Sequence, residues 1–169
     1  MPELAQSSLE LLLEISRELT TTLDLNLLLQ RIVLNSMQHV GAERATLIVV
    51  DAAQHPQQAA IYYDNQLQEY TLEQLQSLLD QGLAGWVMRN RQPALLPDTS
   101  QDERWLARPY EITDRTAAKS AVCVPLIISD QLVGVLTIIH SQPGSFNNSH
   151  LSLLQIIAGQ AAKIGRAHV

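Results

Sequence analysis

The sequence predicts an α+β domain: an antiparallel sheet with terminal helices on one face and an irregular segment on the other. Three observations carry this. Stretches near the front and at the back repeat apolar residues at steps of three and four, the period of a helix face. Four compact apolar runs come in pairs that can close as hairpins, rather than alternating regularly with helices. Between the pairs lies a long stretch punctuated by Pro93, Pro97 and Pro109, and a long loop in a compact domain usually carries function.

Each element follows in order. Leu12, Ile15 and Leu19 mark an amphipathic helix within residues 1–23, and Thr20, Thr21 and Thr22 break it. A second helix carries Leu25, Leu28, Leu29, Ile32, Val33, Met37 and Val40, with Asp24 as a start signal and Gly41 as a C-terminal stop. "ERATLIVVD" reads as a strand covered on both faces. "DAAQHPQQ" is a turn or loop, and "AAIYYD" a shorter strand. Leu72, Leu75, Leu78 and Leu79 form a helix that stops at Gly82, and a short helix spans residues 83–90. The last two strands flank the polar turn Ser129-Asp130-Gln131. The final helix starts at Asn147 to Ser149. It shows one stripe of Leu151, Leu154, Ala158, Ala161 and Gly165 and another of Leu153, Ile157 and Ile164, one for the sheet and one for a partner.

Composition narrows the function. The net charge is −6, with no block of Lys and Arg, which argues against nucleic acid as a partner. One cysteine rules out an intrachain disulfide and any multi-cysteine metal site. The start "MPELAQSSLE" lacks the basic stretch and apolar core of a secretion signal, and no apolar run reaches the ~20 residues of a membrane helix. A cytoplasmic protein with no membrane segment is expected.

The candidate chemistry is sparse. Cys123 shares its strand face with Ala121, Pro125 and Ile127, an apolar set with no basic neighbour to lower its pKa, so it reads as a buried, unreactive thiol. Trp86 and Trp105 flank the long loop and suit either stacking on a ligand or anchoring a wall to the core. Asp98, Asp102 and Glu103 lie in that loop, where Asp98 or Asp102 can cap a turn. "GLAG", from Gly82 to Gly85, offers backbone N–H groups to an anion or simply permits close packing. His39, His55, His140, His150 and His168 show no metal-ligand spacing, and His150 is expected on the surface of the last helix.

Four segments in order resemble the GAF family of sensory domains, which is related to the PAS fold: "LLLEISRELTTTLDLNLLLQRIV", "GLAGWVMRNRQPALLPDTSQDERW", "KSAVCVPLIISDQLVGVLTI" and "FNNSHLSLLQIIAGQAAKIGRA". The resemblance implies a sheet of five or six strands and a pocket roofed by the middle segment. It divides the chain into an N-terminal signalling helix, 1–23, and a GAF domain, 24–169. Into the implied pocket fall Trp86, Asp98, Trp105, Tyr110 and Cys123. The implied role is a non-catalytic module that senses an unknown small ligand, without an identifiable cofactor. It would serve a histidine kinase, nucleotide cyclase, cyclic-diguanylate enzyme or transcription regulator, of which this chain would be a fragment. A homodimer would form through Leu12, Ile15, Leu19, Leu151, Leu154, Ala158 and Ala161. A ligand-free dimerisation module is the alternative, and an enzyme of the free methionine-sulfoxide-reductase type is a third, less favoured reading. The chain departs from three functional patterns of the family. Cys123 is followed by Val124, not by the histidine common in bilin-binding members. A single cysteine cannot complete the cycle of a free methionine-sulfoxide reductase. Neither lysine follows an asparagine, as in many cyclic-nucleotide-binding members.

Overall fold

The computed structural model describes residues 25–105 and 118–168. Helix α1, Leu25–Val40, buries the stripe read from its periodicity and adds Ser36. The Ser36 hydroxyl donates to the Ile32 carbonyl at 2.6 Å, which satisfies the one polar group on that face. Gly41 ends the helix in the left-handed region, φ 71°, and its N–H donates to the Met37 carbonyl. The elements that follow are β1 (Arg44–Val50), β2 (Pro56–Tyr63), β3 (Gln66–Leu67), α2 (Leu72–Asp80), α3 (Gly82–Asn90), β4 (Ala94–Leu96), a 3-10 turn (Thr99–Gln101), β5 (Ser120–Ile128), β6 (Gln131–His140) and α4 (Asn148–His168).

The six strands form one antiparallel sheet in the order β3-β2-β1-β6-β5-β4. Side chains alternate across it and feed two cores. Leu47, Val49, Val122, Val124, Leu136 and Ile138 meet α1 and α4 on one face. Ile48, Ala121, Cys123, Val135 and Ile139 meet α2 and α3 on the other. Burying each large aliphatic side chain contributes ~1.5–3 kcal/mol, so aliphatic residues alone can hold both layers.

Three local departures have clear causes. β2 begins at Pro56, not Ala59, because the loop before it is shorter than its polar composition suggests. The Asp51 carboxylate accepts the N–H groups of Ala53 and His55 and closes a tight turn. Proline then stands at the first strand position, where a missing donor costs least. The turn between β5 and β6 holds only Ser129 and Asp130, both at positive φ, and Gln131 already pairs with Ile128. That turn is gripped from both layers: Arg91 Nη1 donates to the Asp130 carbonyl at 2.6 Å and Arg166 Nη1 to Ser129 Oγ at 3.3 Å. Beyond the turn the register shifts between Leu126 and Ile127, leaving Val133 as an extra residue in β6.

The last helix corrects two expectations. Its two stripes merge into one broad buried face: Leu153, Leu154, Ile157, Ala158, Ala161, Ala162 and Ile164 all lie in the helix-side core. Leu154, Ala158 and Ala161 are therefore used inside the chain and are not open to a partner, while Leu151 packs at the rim of that core. The exposed apolar residues of α1 and α4 are instead Leu27 and Ile156. Leu12, Ile15 and Leu19 lie outside the described residues. His150 is not on the surface but half-buried, with Phe146 edge-on between it and His140.

Candidate functional site

The site builds up from the sheet face under α2 and α3. Thr46, Thr137 and Cys123 stand opposite one another across β1, β6 and β5. Their two hydroxyls and one thiol form a buried polar row in an otherwise aliphatic floor. Cys123 is 0% exposed and its Sγ lies 3.2 Å from Thr137 Oγ1. The thiol is thus hydrogen-bonded and enclosed, as its apolar strand face implied.

α3 stands over this floor. Gln81 breaks the chain between α2 and α3 with an extended conformation. The helices then pack so closely that a Cβ on Gly85 would sit 2.7 Å from the Leu79 carbonyl oxygen. In "GLAG", Gly85 is what permits this close packing. α3 carries Trp86, which packs on the α2/α3-side core together with Trp105.

The loop after β4 brings charge to these aromatics. Asp98 accepts from the Ser100 N–H and hydroxyl at 2.9 and 2.6 Å and caps the 3-10 turn. One oxygen of its carboxylate, Oδ1, is thereby engaged by its own turn. The base of the loop is stapled: Thr99 N–H donates to the Lys119 carbonyl, and Lys119 N–H to Thr99 Oγ1. Asp102 and Arg104 form a two-pronged ion pair, Nε to Oδ1 at 2.9 Å and Nη2 to Oδ2 at 2.6 Å. The Arg104 guanidinium also lies 4.4 Å from the centroid of the Trp86 ring. The Arg104 hydrogen bond holds the Asp102 carboxyl below the usual carboxylate range, against the opposing effect of burial. Asp102 in turn raises the Arg104 pKa, again against burial, and negative charge at Cys123 would raise it further.

The structure therefore brings Trp86, Trp105 and Cys123 to one face of the sheet, has Asp98 cap the 3-10 turn, and leaves Tyr110 outside the described residues. Sequence reasoning missed Arg104. The available signal was "DERW", an acid and a base two residues apart beside a tryptophan. It also missed the partnership of Cys123 with Thr137, which depends on strand register.

A domain with this sheet order, two helical layers and a loop-covered face has clear relatives. The family model described as GAF domain matches residues 22–164. The chain belongs to the GAF family. Among solved structures, the GAF domain from a phosphoenolpyruvate-protein phosphotransferase (ptsP) of Coxiella burnetii is similar, with a TM-score of 0.69 and 22% identity over 97% of this chain and 95% of that one. The nlh2 GAF domain of A. aeolicus, in an inactive state, gives 0.71 and 14% over 98% and 99%. The free methionine-R-sulfoxide reductase of Neisseria meningitidis, in complex with its substrate, gives 0.68 and 14% over 95% and 89%. A comparison with curated proteins gives no match. At these identities the likeness is one of fold. Among the described residues of this GAF domain, no helix is long and apolar enough to cross a membrane.

Proposed function

We propose that this GAF domain is a non-catalytic regulatory module that senses a small molecule on the α2/α3 face of its sheet. It works as a cytoplasmic homodimer and passes the signal through its terminal helices to an output domain. That output domain is a histidine kinase, a cyclase or cyclic-diguanylate enzyme, or a transcription regulator. One observation supports the sensing role: Arg104, paired with Asp102, lies over the Trp86 ring, and Trp86 and Trp105 both pack on the sheet-face core that includes Cys123. Aromatic walls with a few fixed polar groups over an apolar floor are the usual makeup of a small-molecule site.

The fold by itself does not choose between regulation and catalysis, since a reductase shares it. Cys123 supports regulation. It is the only cysteine, it is fully buried, and it is hydrogen-bonded to a hydroxyl rather than to a base. A thiol so placed meets no sulfoxide, and no second cysteine resolves the product. Native mass spectrometry against the denatured mass tests the reading. A dimer carrying extra non-covalent mass is the expected result. Mass that survives denaturation points to a covalent adduct at Cys123 and overturns the reading of that residue.

A ligand-free dimerisation module is the second reading. It is favoured by Leu27 and Ile156, exposed by 51% and 45% on the two helices that share the opposite face. A dimer without extra mass selects it.

A further inference from the structure

The Arg104 side chain is unusually well held for a residue in a loop. Its guanidinium lies over one indole, and both hydrogen bonds of its fork go to one carboxylate. An ordinary surface ion pair contributes little and needs no aromatic platform. A planar guanidinium stacked on an aromatic ring, its fork in the plane of a carboxylate, is the arrangement by which proteins recognise carboxylates. Neither partner is at the open surface: the side chains of Arg104 and Asp102 are 27% and 23% exposed.

The carboxylate that fills the fork belongs to the same loop, two residues back. Asp102 Oδ1 also accepts the Arg104 backbone N–H at 2.9 Å, so the loop closes on itself around its own acid. Asp102 thus has the geometry of an internal substitute for an external acid. A domain of net charge −6 does not draw anions by its overall field, so a local cation has to do so. Arg104 is that cation, beside the two tryptophans.

We propose that the ligand of this GAF domain is a small organic anion, a carboxylate on a planar apolar body, which exchanges with Asp102 at the Arg104 fork and lies along Trp86 and Trp105. The inference rests on the sensor reading and specifies the chemistry of its site. Exchange has a structural consequence. Once Asp102 leaves the fork, the turn from Asp102 to Arg104 loses both its side-chain ion pair and its side-chain cap. Residues 102–105 then lose the contacts that hold them, which gives binding an output.

The test follows the indole N–H resonances of Trp86 and Trp105 during titration with phenylacetate and, separately, with neutral phenylacetamide. Asp102→Asn removes the internal competitor, so it binds phenylacetate at least about tenfold more tightly than the unaltered protein, as expected when a tethered rival is lost. Adding Arg104→Gln abolishes that binding, and Arg104→Lys, a point charge without the fork, retains only part of it. If Arg104→Gln fails to fold by circular dichroism, Arg104→Lys carries the comparison. Phenylacetamide binds none of them. The proposal is overturned if Asp102→Asn binds no more tightly than the unaltered protein, or if the amide binds as well as the acid. It also fails if no binding appears by about 20 mM, where even a millimolar contact registers. A neutral molecule found by native mass spectrometry removes this inference and leaves the sensor reading standing. A bare dimer together with no phenylacetate binding removes both.

Discussion

Gly134 in β6 has no room for a side chain, and replacing it tests how the floor of the candidate site is set. It lies opposite Val49 in β1 and Leu126 in β5, directly beside the register shift. A Cβ built there would be 2.3 Å from the Ile48 carbonyl oxygen and 3.2 Å from Leu126 Cδ2. The first contact is roughly 1 Å short of ordinary packing distance, and the offending atom is backbone, which no rotamer change can move. Gly134→Ala must therefore push the two central strands apart. Overpacking of this kind costs about 1–3 kcal/mol, and an unyielding backbone contact puts Gly134→Ala at about 3 kcal/mol. For a domain of this size that lowers Tm by about 6–12 °C in thermal unfolding followed by circular dichroism. The control is Gly159→Ala, on the exposed face of α4 with no atom within 4 Å of its Cβ. There the same change stabilises, by about 0.5–1 kcal/mol, through helix propensity alone. A Gly134→Ala variant that loses less than about 2 °C, at most about 1 kcal/mol on that scale, would refute the packing argument.

Three further outcomes are expected. The Cys123 thiol reacts with a disulfide reagent at least about a hundredfold more slowly in the native protein than in denaturant, because only opening of the sheet exposes it; rapid labelling of the folded protein would show an accessible thiol. Burial lowers the His150 pKa below its ordinary 6.5, and the neutral ring accepts the Asn147 N–H at Nδ1. The unfolded chain therefore binds more protons just below pH 6.5, and stability is lost as pH falls from there toward the folded pKa; denaturation of the unaltered protein and of His150→Gln at pH 7.5 and 5.5 should diverge toward acid, and parallel curves would remove His150 as the cause. Ile156→Glu places a charge on the exposed centre of α4 and weakens a helix-mediated dimer at least about tenfold in analytical ultracentrifugation; an unchanged dimer excludes that face.

Period and punctuation made most of the fold legible. α1 follows its apolar steps and stops at Gly41, and β1 was recognisable as a run apolar on both faces. The candidate site was legible in part. Trp86 and Trp105 stood out because aromatics are few, and the apolar strand face of Cys123 announced its burial. Register hid the rest. Across a two-residue turn, Cys123 would face Leu136; the extra residue Val133 moves it opposite Thr137. No local signal marks that bulge except Gly134, whose need for no side chain appears only once Ile48 is beside it. The stripes of α4 misled for a similar reason. Periodicity shows which residues are apolar, not how wide a face the sheet and α1 together cover.

The same hairpin bears on how the two layers communicate. The sheet separates the layer that holds Trp86 from the layer that holds α4. At the Ser129–Asp130 turn, one structure is held from both sides, by Arg91 at the end of α3 and by Arg166 near the end of α4. Both turn residues are at positive φ without being glycine, so the turn relies on its surroundings to stay in that form. Arg91→Ala removes a charged donor on one side. The expected result is faster hydrogen exchange at residues 129–131 and also at the last turn of α4, residues 163–168, where Arg166 loses a fixed acceptor. Arg89→Ala, which frees only the Asp80 carbonyl, should leave α4 unchanged. Faster exchange confined to residues 89–91 and 129–131 would mean that the turn is a local fastening. Faster exchange that reaches α4 would mark the turn as a path by which a change around Trp86 moves the terminal helix.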